Sequence, residues 1–312
     1  MKPEIILVEP MMAAIEAKLD AAYTVHRLSA APDRAALLAE VGPRVRAIAT
    51  GGGTGAGREL VEALPNLGII AINGIGTDAV DLVHAKERGI RVTTTPGVLT
   101  DDVADLAMAL LLAGMRRLTQ ADRFLRAGRW PAERMPLARK ATGKRLGILG
   151  LGGIGRAVAQ RAAGFGMEIA YTNRKPADGA PWRFVPDPVQ LAAESDILVV
   201  AVTGGAGTRN LVDRAVLDAL GPEGLLVNVA RGSVVDEAAL IDALAEGRLG
   251  GAALDVFAHE PHVPEALFAM DQVVLVPHQA SATLETRTAM GELVLANLAA
   301  YFAGEPLPTP VV

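Results

Sequence analysis

The 312-residue chain contains no cysteine. Disulfides, thiolate metal sites and a cysteine nucleophile are therefore excluded. Long hydrophobic runs are missing too. The longest, around residues 106–115, falls short of the ~18 residues that a membrane span needs. The first apolar run, residues 5–8, is too short for a secretion signal. An excess of positive charge is also absent. The formal net charge is -5, which argues against the basic face of a nucleic-acid binder. A small anionic substrate is still allowed, because its site needs only a few local cations. These absences give the expectation of a cytoplasmic protein with no nucleic-acid or membrane partner. What is present is ample apolar material: 51% of residues are hydrophobic and 21% charged, so a disordered chain is not expected. The length is generous for one core and comfortable for two domains.

Short apolar runs alternate with helical patterns from the start. Strands are predicted over 5–8, 23–25, 45–49, 67–72 and 90–92, and helices over 12–19, 33–40, 58–64 and 79–88. Such alternation implies a parallel sheet covered on both faces. Ligands of these sheets sit at the carboxyl ends of the strands. Two glycine-rich turns fall there, Gly51–Gly57 and Gly74–Gly76. Thr93-Thr94-Thr95-Pro96-Gly97 interrupts the pattern. A long helix is predicted over 100–118. Asp101, Asp102 and Asp105 near its start and Arg116 and Arg117 near its end suit the helix dipole. A polar, basic arm with Trp130, Pro131 and Pro136 runs on to Lys144 and is expected to contact a second subunit. A second series then begins. Its strands are predicted over 145–149, 168–171, 197–201, 225–229, 252–256 and 273–276. Its helices are predicted over 154–164, 187–193, 214–220 and 237–246, with a last one over 285–302. The two series are alike in style but share no sequence repeat.

The pattern G-x-G-x-x-G/A occurs three times, at Gly51/Gly53/Ala56, Gly74/Gly76/Ala79 and Gly150/Gly152/Gly155. Only the third lies between a clean strand and a long helix, the context a dinucleotide requires. There Gly150 permits the tight turn, Gly152 lets a pyrophosphate approach and Gly155 lets helix and strand pack. The helix start at Gly153 and Ile154 offers N–H groups to phosphate. The Gly52…Gly57 spacing matches a P-loop, but Arg58-Glu59 follows where Lys and Ser/Thr are needed. For NAD, an acid should end the next strand, about 20 residues on. That place reads Tyr171-Thr172-Asn173-Arg174-Lys175. A 2′-phosphate would meet the two cations Arg174 and Lys175 and neutral donors such as Asn173, so NADP(H) is the expected cofactor, with NAD(H) as a possible substitute.

Reduction of a ketone by hydride needs a proton donor, a cation for a substrate carboxylate and a group that keeps the donor charged. Of the five histidines, His278 alone follows a buried-looking strand directly, with Pro277 between, and precedes the small residues Ala280-Ser281-Ala282. His26 and His84 have no acidic or glycine-rich neighbours and are read as surface residues. His259 and His262 flank Glu260, but Pro261 spoils a ligand spacing, and no metal is expected there. Arg231 follows the strand over 225–229, where its fork could pair with a carboxylate. Taken singly, Arg231 is a turn arginine and Glu260 an exposed turn acid. Beside an imidazole, Glu260 would favour its charged form.

Taken together, these residues resemble the D-isomer-specific 2-hydroxyacid dehydrogenase family over nearly the whole chain. The resemblance rests on Gly74-Ile75-Gly76-Thr77-Asp78, on Gly97-Val98-Leu99-Thr100 with Ala104-Asp105, and on Leu149-Gly150-Leu151-Gly152-Gly153-Ile154-Gly155. It continues in Asn228-Val229-Ala230-Arg231-Gly232, Ala253-Leu254-Asp255-Val256-Phe257 with Glu260-Pro261, and Pro277-His278 with Ser281-Ala282-Thr283. It implies an α/β fold of two Rossmann-like parallel-sheet domains, one flavodoxin-like and one doubly wound, with the active site in a cleft between them. The substrate domain would comprise 1–98 and 284–312, and the dinucleotide-binding domain 99–283. Arg231 would anchor the substrate carboxylate, His278 would be the acid/base and Glu260 its partner. Backbone groups near Gly53, Ile75 and Gly76 would hold substrate. Thr100, Thr203, Thr208, Val229 and Asp255 would line the cofactor. A homodimer is implied, with the 120–143 arm as its contact.

The missing acid after Tyr171 looks like the NADP-preferring branch of glyoxylate/hydroxypyruvate and hydroxyphenylpyruvate reductases. The expected reaction is therefore NADPH-dependent reduction of a small 2-oxo acid to the D-2-hydroxy acid. Gln279 stands where an apolar residue is more usual, and the Gly51–Gly57 loop is expected to leave room beside the substrate. A reductase of a larger 2-oxo acid, hydroxyphenylpyruvate or 2-ketogluconate, is the alternative. A non-catalytic cofactor sensor is a second, although a sensor has no need of Arg231, Glu260 and His278. A phosphoglycerate-type dehydrogenase is a third, expected to carry a further regulatory domain beyond Val312.

Overall fold

The computed structural model describes residues 2–312. They form two compact units, one of residues up to Leu99 with Ser281–Val312, the other Thr100–Ala280.

The first unit is built on strands β1 (Glu4–Leu7), β2 (Thr24–Arg27), β3 (Val45–Gly51), β4 (Ile69–Asn73) and β5 (Arg91–Thr93). Helices α1 (Ala13–Ala22), α2 (Arg34–Val41), α3 (Arg58–Glu62) and α4 (Leu82–Glu87) connect them. All pairings are parallel, in the order β2-β1-β3-β4-β5. This is the flavodoxin-like order. The continuous apolar runs explain it, since a parallel strand is covered on both faces. Ile6, Ile48, Ile70 and Ile72 pack on one face, and Ile5, Leu7, Ala47, Ala49, Ile69 and Ala71 on the other. The helix predicted from residue 79 begins only at Leu82. The Asp81 carboxylate accepts from the His84 N–H at 2.9 Å and caps it there.

The second unit opens with α5 (Thr100–Arg116) and α6 (Leu118–Arg126). The arm after the first helix thus contains a helix that composition did not reveal. The break comes from Arg117, which lies in the left-handed region at φ 52° and so cannot continue a right-handed helix. The sheet comprises β6 (Arg145–Leu149), β7 (Glu168–Thr172), β8 (Arg183–Phe184), β9 (Ile197–Val200), β10 (Leu225–Asn228), β11 (Gly251–Leu254) and β12 (Val273–Leu275). Its helices are α7 (Gly153–Ala163), α8 (Pro188–Ala193), α9 (Arg214–Leu220) and α10 (Glu237–Ala245). Asp187, Asp213 and Asp236 cap the last three. The parallel order β12-β11-β10-β9-β6-β7-β8 reverses direction between β9 and β6. That reversal opens a crevice above the carboxyl end of β6, which is where a doubly wound sheet binds its ligand. β8, two residues long, is too short for periodicity to announce. The final helix α11 (Leu284–Ala303), capped by the Thr283 hydroxyl, returns to the first unit and buries Val294 and Leu298 against its sheet. Among the described residues, no helix is long and apolar enough to cross a membrane.

Candidate active site

The turn from β6 into α7 is shaped by three glycines with different duties. Gly150 has φ +98°, and a Cβ there would sit 2.8 Å from the Ala201 carbonyl. A Cβ on Gly155 would strike the Gly150 carbonyl oxygen, so helix and strand could not close up. Nothing lies within 4 Å of a Cβ built on Gly152. The space at Gly152 is therefore open, at the head of an 11-residue helix whose first N–H groups lack intrahelical acceptors. This cradle fits a dinucleotide pyrophosphate. Thr100, the first residue of α5, brings its hydroxyl to 3.7 Å from a Cβ built on Gly153.

The end of β7 divides its polar groups. The buried Tyr171 hydroxyl accepts from the Ala177 N–H at 2.9 Å, and the Thr172 hydroxyl donates to the Val185 carbonyl at 2.6 Å. The Asn173 Oδ1 accepts from the Leu151 N–H at 2.8 Å and ties this segment to the glycine turn. The neutral side chains at 171 and 172 thus serve the interior. Arg174 and Lys175 remain exposed. Arg156 of α7 donates to the Asp178 carbonyl at 2.8 Å and steadies the far side of the same turn. Beyond β9, Thr208 donates to the Thr203 carbonyl at 2.7 Å, so its hydroxyl closes the loop that carries the exposed Thr203. Val229 is buried behind the crevice and reaches the Val200 carbonyl through its N–H at 3.4 Å.

Arg231, Glu260 and His278 stand at the carboxyl ends of the adjacent strands β10, β11 and β12. Buried Asn228 shapes the first loop: its Oδ1 accepts from the Ala230 N–H and its amide donates to the Arg231 carbonyl, both at 3.0 Å. A Cβ on Gly232 would collide with the Phe257 carbonyl, so this loop rests directly on the next one. There the Glu260 Oε1 accepts from the Phe257 N–H at 2.9 Å, and Glu237 Oε2 accepts from the Ala258 N–H at 3.0 Å. The other Glu260 oxygen meets His278 Nδ1 at 2.6 Å. The carboxylate selects the Nδ1–H tautomer and turns Nε2 outward as the atom that exchanges a proton.

His278 has φ 47°, in the left-handed region, which costs a non-glycine residue about 1–3 kcal/mol. Asp255 offsets that cost. Its carbonyl accepts from the His278 N–H at 2.8 Å, and its carboxylate accepts from the Gln279 and Ala280 N–H groups at 2.7 and 3.1 Å. Asp255 is 1% exposed. Burial pushes its carboxyl up, the adjoining N–H groups and the His278 charge oppose this, and the net direction is upward. Burial also pushes Glu260 up, but the His278 hydrogen bond, the Phe257 N–H and the charges of His278 and Arg231 together hold it below the ordinary glutamate range. A carboxyl with a depressed folded pKa stabilises the fold above its unfolded pKa, and this contribution is lost as pH falls through the folded value. Glu260→Gln is therefore expected to lower Tm at neutral pH, with the gap to wild type narrowing on acidification below the ordinary glutamate range. Scanning calorimetry of both proteins across that interval is the check, and a gap that stays constant would contradict the ionised pair.

In the first unit, Gly53 is exposed, and Ile75 and Gly76 are half-buried in the turn after β4. The Gly51–Gly57 loop does not leave all the room expected of it. The space a Gly51 side chain would take holds the carboxylate of Glu9, which also accepts from the Thr54 hydroxyl. Sequence reading overlooked Glu9, which belongs to no motif. Its place just past β1 was the available signal. His26 also differs from its expected surface role. It pairs with Glu4 at 2.8 Å, with 17% of its side chain exposed. The partner was invisible because it lies on the neighbouring strand.

Residues 108–280 match the family described as D-isomer specific 2-hydroxyacid dehydrogenase, NAD binding domain. A 2-ketogluconate reductase of Gluconobacter oxydans (strain 621H) is 47% identical over 311 residues, covering 100% of this chain and 99% of that protein. A glyoxylate/hydroxypyruvate reductase of Arabidopsis thaliana is 48% identical over 308 residues, covering 99% and 98%. Among solved structures, the NADPH-dependent glyoxylate/hydroxypyruvate reductase of Sinorhizobium meliloti, in complex with NADP and malonate, superposes with a TM-score of 0.94 at 43% identity, covering 100% of this chain and 97% of that one. The 2-hydroxyacid dehydrogenase of Ketogulonicigenium vulgare Y25 gives 0.92 at 54% identity, covering 100% and 99%. With the glycine turn and the Arg231, Glu260 and His278 loops in place, these likenesses settle its membership: the chain belongs to the D-isomer specific 2-hydroxyacid dehydrogenase family.

Proposed function

We propose that the chain reduces a small 2-oxo acid of the glyoxylate or hydroxypyruvate kind to the D-2-hydroxy acid, with NADPH as the preferred reductant. The observation that carries this reading is the 2.6 Å His278–Glu260 pair at adjoining strand ends with Arg231, in the same unit as the open glycine turn. When bound, the nicotinamide supplies the hydride that C2 receives. Arg231 holds the substrate carboxylate by a charge-assisted, two-point contact. His278 gives the Nε2 proton to the carbonyl oxygen as it gains negative charge, and Glu260 stabilises the imidazolium until then. In the first unit, the N–H groups of Ile75 and Gly76, with Gly53 beside them, are assigned to substrate. That unit is read as the substrate domain and 100–280 as the dinucleotide-binding domain. Gly150, Gly152, Gly153, Ile154 and Gly155 would seat the pyrophosphate, with Thr100, Asn173, Thr203, Thr208, Val229 and Asp255 around the rest of the cofactor.

Oxidation of NADPH and of NADH, followed by absorbance with glyoxylate and hydroxypyruvate as acceptors, tests the reading. Turnover with a higher kcat/KM for NADPH is expected, and no turnover with either cofactor would overturn it. The Arg174→Ala, Lys175→Ala double variant should lower the NADPH-to-NADH ratio of kcat/KM about 100-fold, because each cation contributes a charge-assisted bond to a 2′-phosphate. An unchanged ratio would remove both residues from the cofactor site.

We also infer a cytoplasmic homodimer. Leu118, Leu125, Trp130 and Leu137 are 52%, 55%, 63% and 94% exposed along one arm of the chain, and a monomer rarely leaves so much large apolar surface together.

A further inference from the structure

We infer that Glu9 is a specificity-determining residue, selecting 2-oxo acids whose 2-substituent carries a hydroxyl group and rejecting those that carry a second carboxylate. The inference rests on the reductase reading above and concerns which member of the substrate class the first unit accepts.

Three strand ends of that unit meet around a missing side chain. Leu7 pairs with Ala49, and Gly51 pairs with Asn73. Two residues past Leu7, Glu9 reaches the same row as Gly51 and Asn73, at the carboxyl end of the sheet. A Cβ on Gly51 would run into the Glu9 carboxylate, so glycine at 51 is what admits the acid to this place. Gly52 in turn backs on the next turn: a Cβ on Gly74 would lie 3.2 Å from the Gly52 N and Cα. The Glu9 carboxylate is thus joined through Gly51 and Gly52 to the Gly74–Gly76 turn assigned to substrate.

The hydrogen-bonding inventory decides what this corner wants. Thr54 donates to Glu9 Oε2. No ion pair engages Glu9 among the described residues, and the Asn73 Oδ1 is buried with no hydrogen-bond partner. Among the described hydrogen bonds, these two acceptor groups beside the substrate turn receive one donor, the Thr54 hydroxyl. A ligand hydroxyl supplies the missing donor. A ligand carboxylate supplies only more acceptors and a like charge, which a partly desolvated carboxylate repels. An unmet buried acceptor is costly to leave so, and this makes a pocket built for a hydroxyl selective against analogues without one.

The test compares kcat/KM with NADPH for hydroxypyruvate, pyruvate, glyoxylate and oxaloacetate in wild type and Glu9→Gln. Hydroxypyruvate and pyruvate differ by one hydroxyl, and wild type should favour the former at least about 10-fold. Gln keeps an acceptor for Thr54 but loses the charge. The hydroxypyruvate-to-glyoxylate ratio should then fall about 10-fold and the oxaloacetate-to-glyoxylate ratio rise about 10-fold. Because both are ratios on one sample, a partly folded variant does not disturb them. Equal use of hydroxypyruvate and pyruvate by wild type overturns the inference without any variant. Ratios that stay within about twofold of wild type, as a purely loop-holding Glu9 would give, also overturn it. Wild type that turns over none of the four acids defeats the reductase reading itself, and the inference with it.

Discussion

His278→Gln is expected to lower kcat for 2-oxo acid reduction about 1,000-fold, within the range a positioned general acid supplies. The glutamine amide can still donate to Glu260, so the loop keeps its tie, but the outward atom no longer carries a transferable proton. Both side chains bear the same backbone cost at φ 47°, so the variant should fold as wild type does and KM should move far less than kcat. The loss should appear in both directions, because the group that donates a proton in reduction receives it in oxidation. Steady-state kinetics both ways provide the measurement. A variant as active as wild type in either direction would remove His278 from the chemistry.

Arg231→Gln is the second large effect. kcat/KM for the 2-oxo acid should fall about 100-fold to 1,000-fold, most of it in KM, as expected when one partner of a charged pair is deleted. Arg231→Lys should recover little, since an ammonium cannot form the two-point contact of a guanidinium. A second readout separates this role from damage to the loop. The Arg231 charge is among the influences that hold the Glu260 carboxyl low. Removing it should move the Glu260 pKa upward, and with it the acid limb of the pH–rate profile. Loss of affinity with an unmoved acid limb would place Arg231 farther from the Glu260–His278 pair than the structure does.

The fold was largely readable because its strands are buried on both faces. Runs such as Ile69-Ile70-Ala71-Ile72 cannot be anything but the interior of a parallel sheet once helical patterns flank them. Family motifs then gave the doubly wound second unit its expected form, and the strand order bears this out. What escaped was local or long-range in a way no window of residues reports. The α5–α6 break depends on one left-handed arginine. The inward turn of Tyr171 and Thr172 depends on the Ala177 N–H donor and the Val185 carbonyl acceptor, which a strand-end reading does not see. Within the candidate site, the motifs pointed to Arg231, Glu260 and His278 and left the supports unread. Asp255 was given a place beside the cofactor, and no motif announced that its carboxylate also accepts from two N–H groups of the histidine turn. Glu9 lies 42 residues before Gly51, and only sheet pairing makes them neighbours.

The turn that carries His278 has one more consequence. Its N–H and the next two are all held by Asp255, and its ring is held by Glu260. The imidazole therefore needs no search for its orientation when a substrate arrives. In water, dipoles must rotate to meet a new charge, and that rotation is part of the barrier. Here they are already aligned, at an expense met during folding, so little reorganisation energy remains to be supplied when the proton moves.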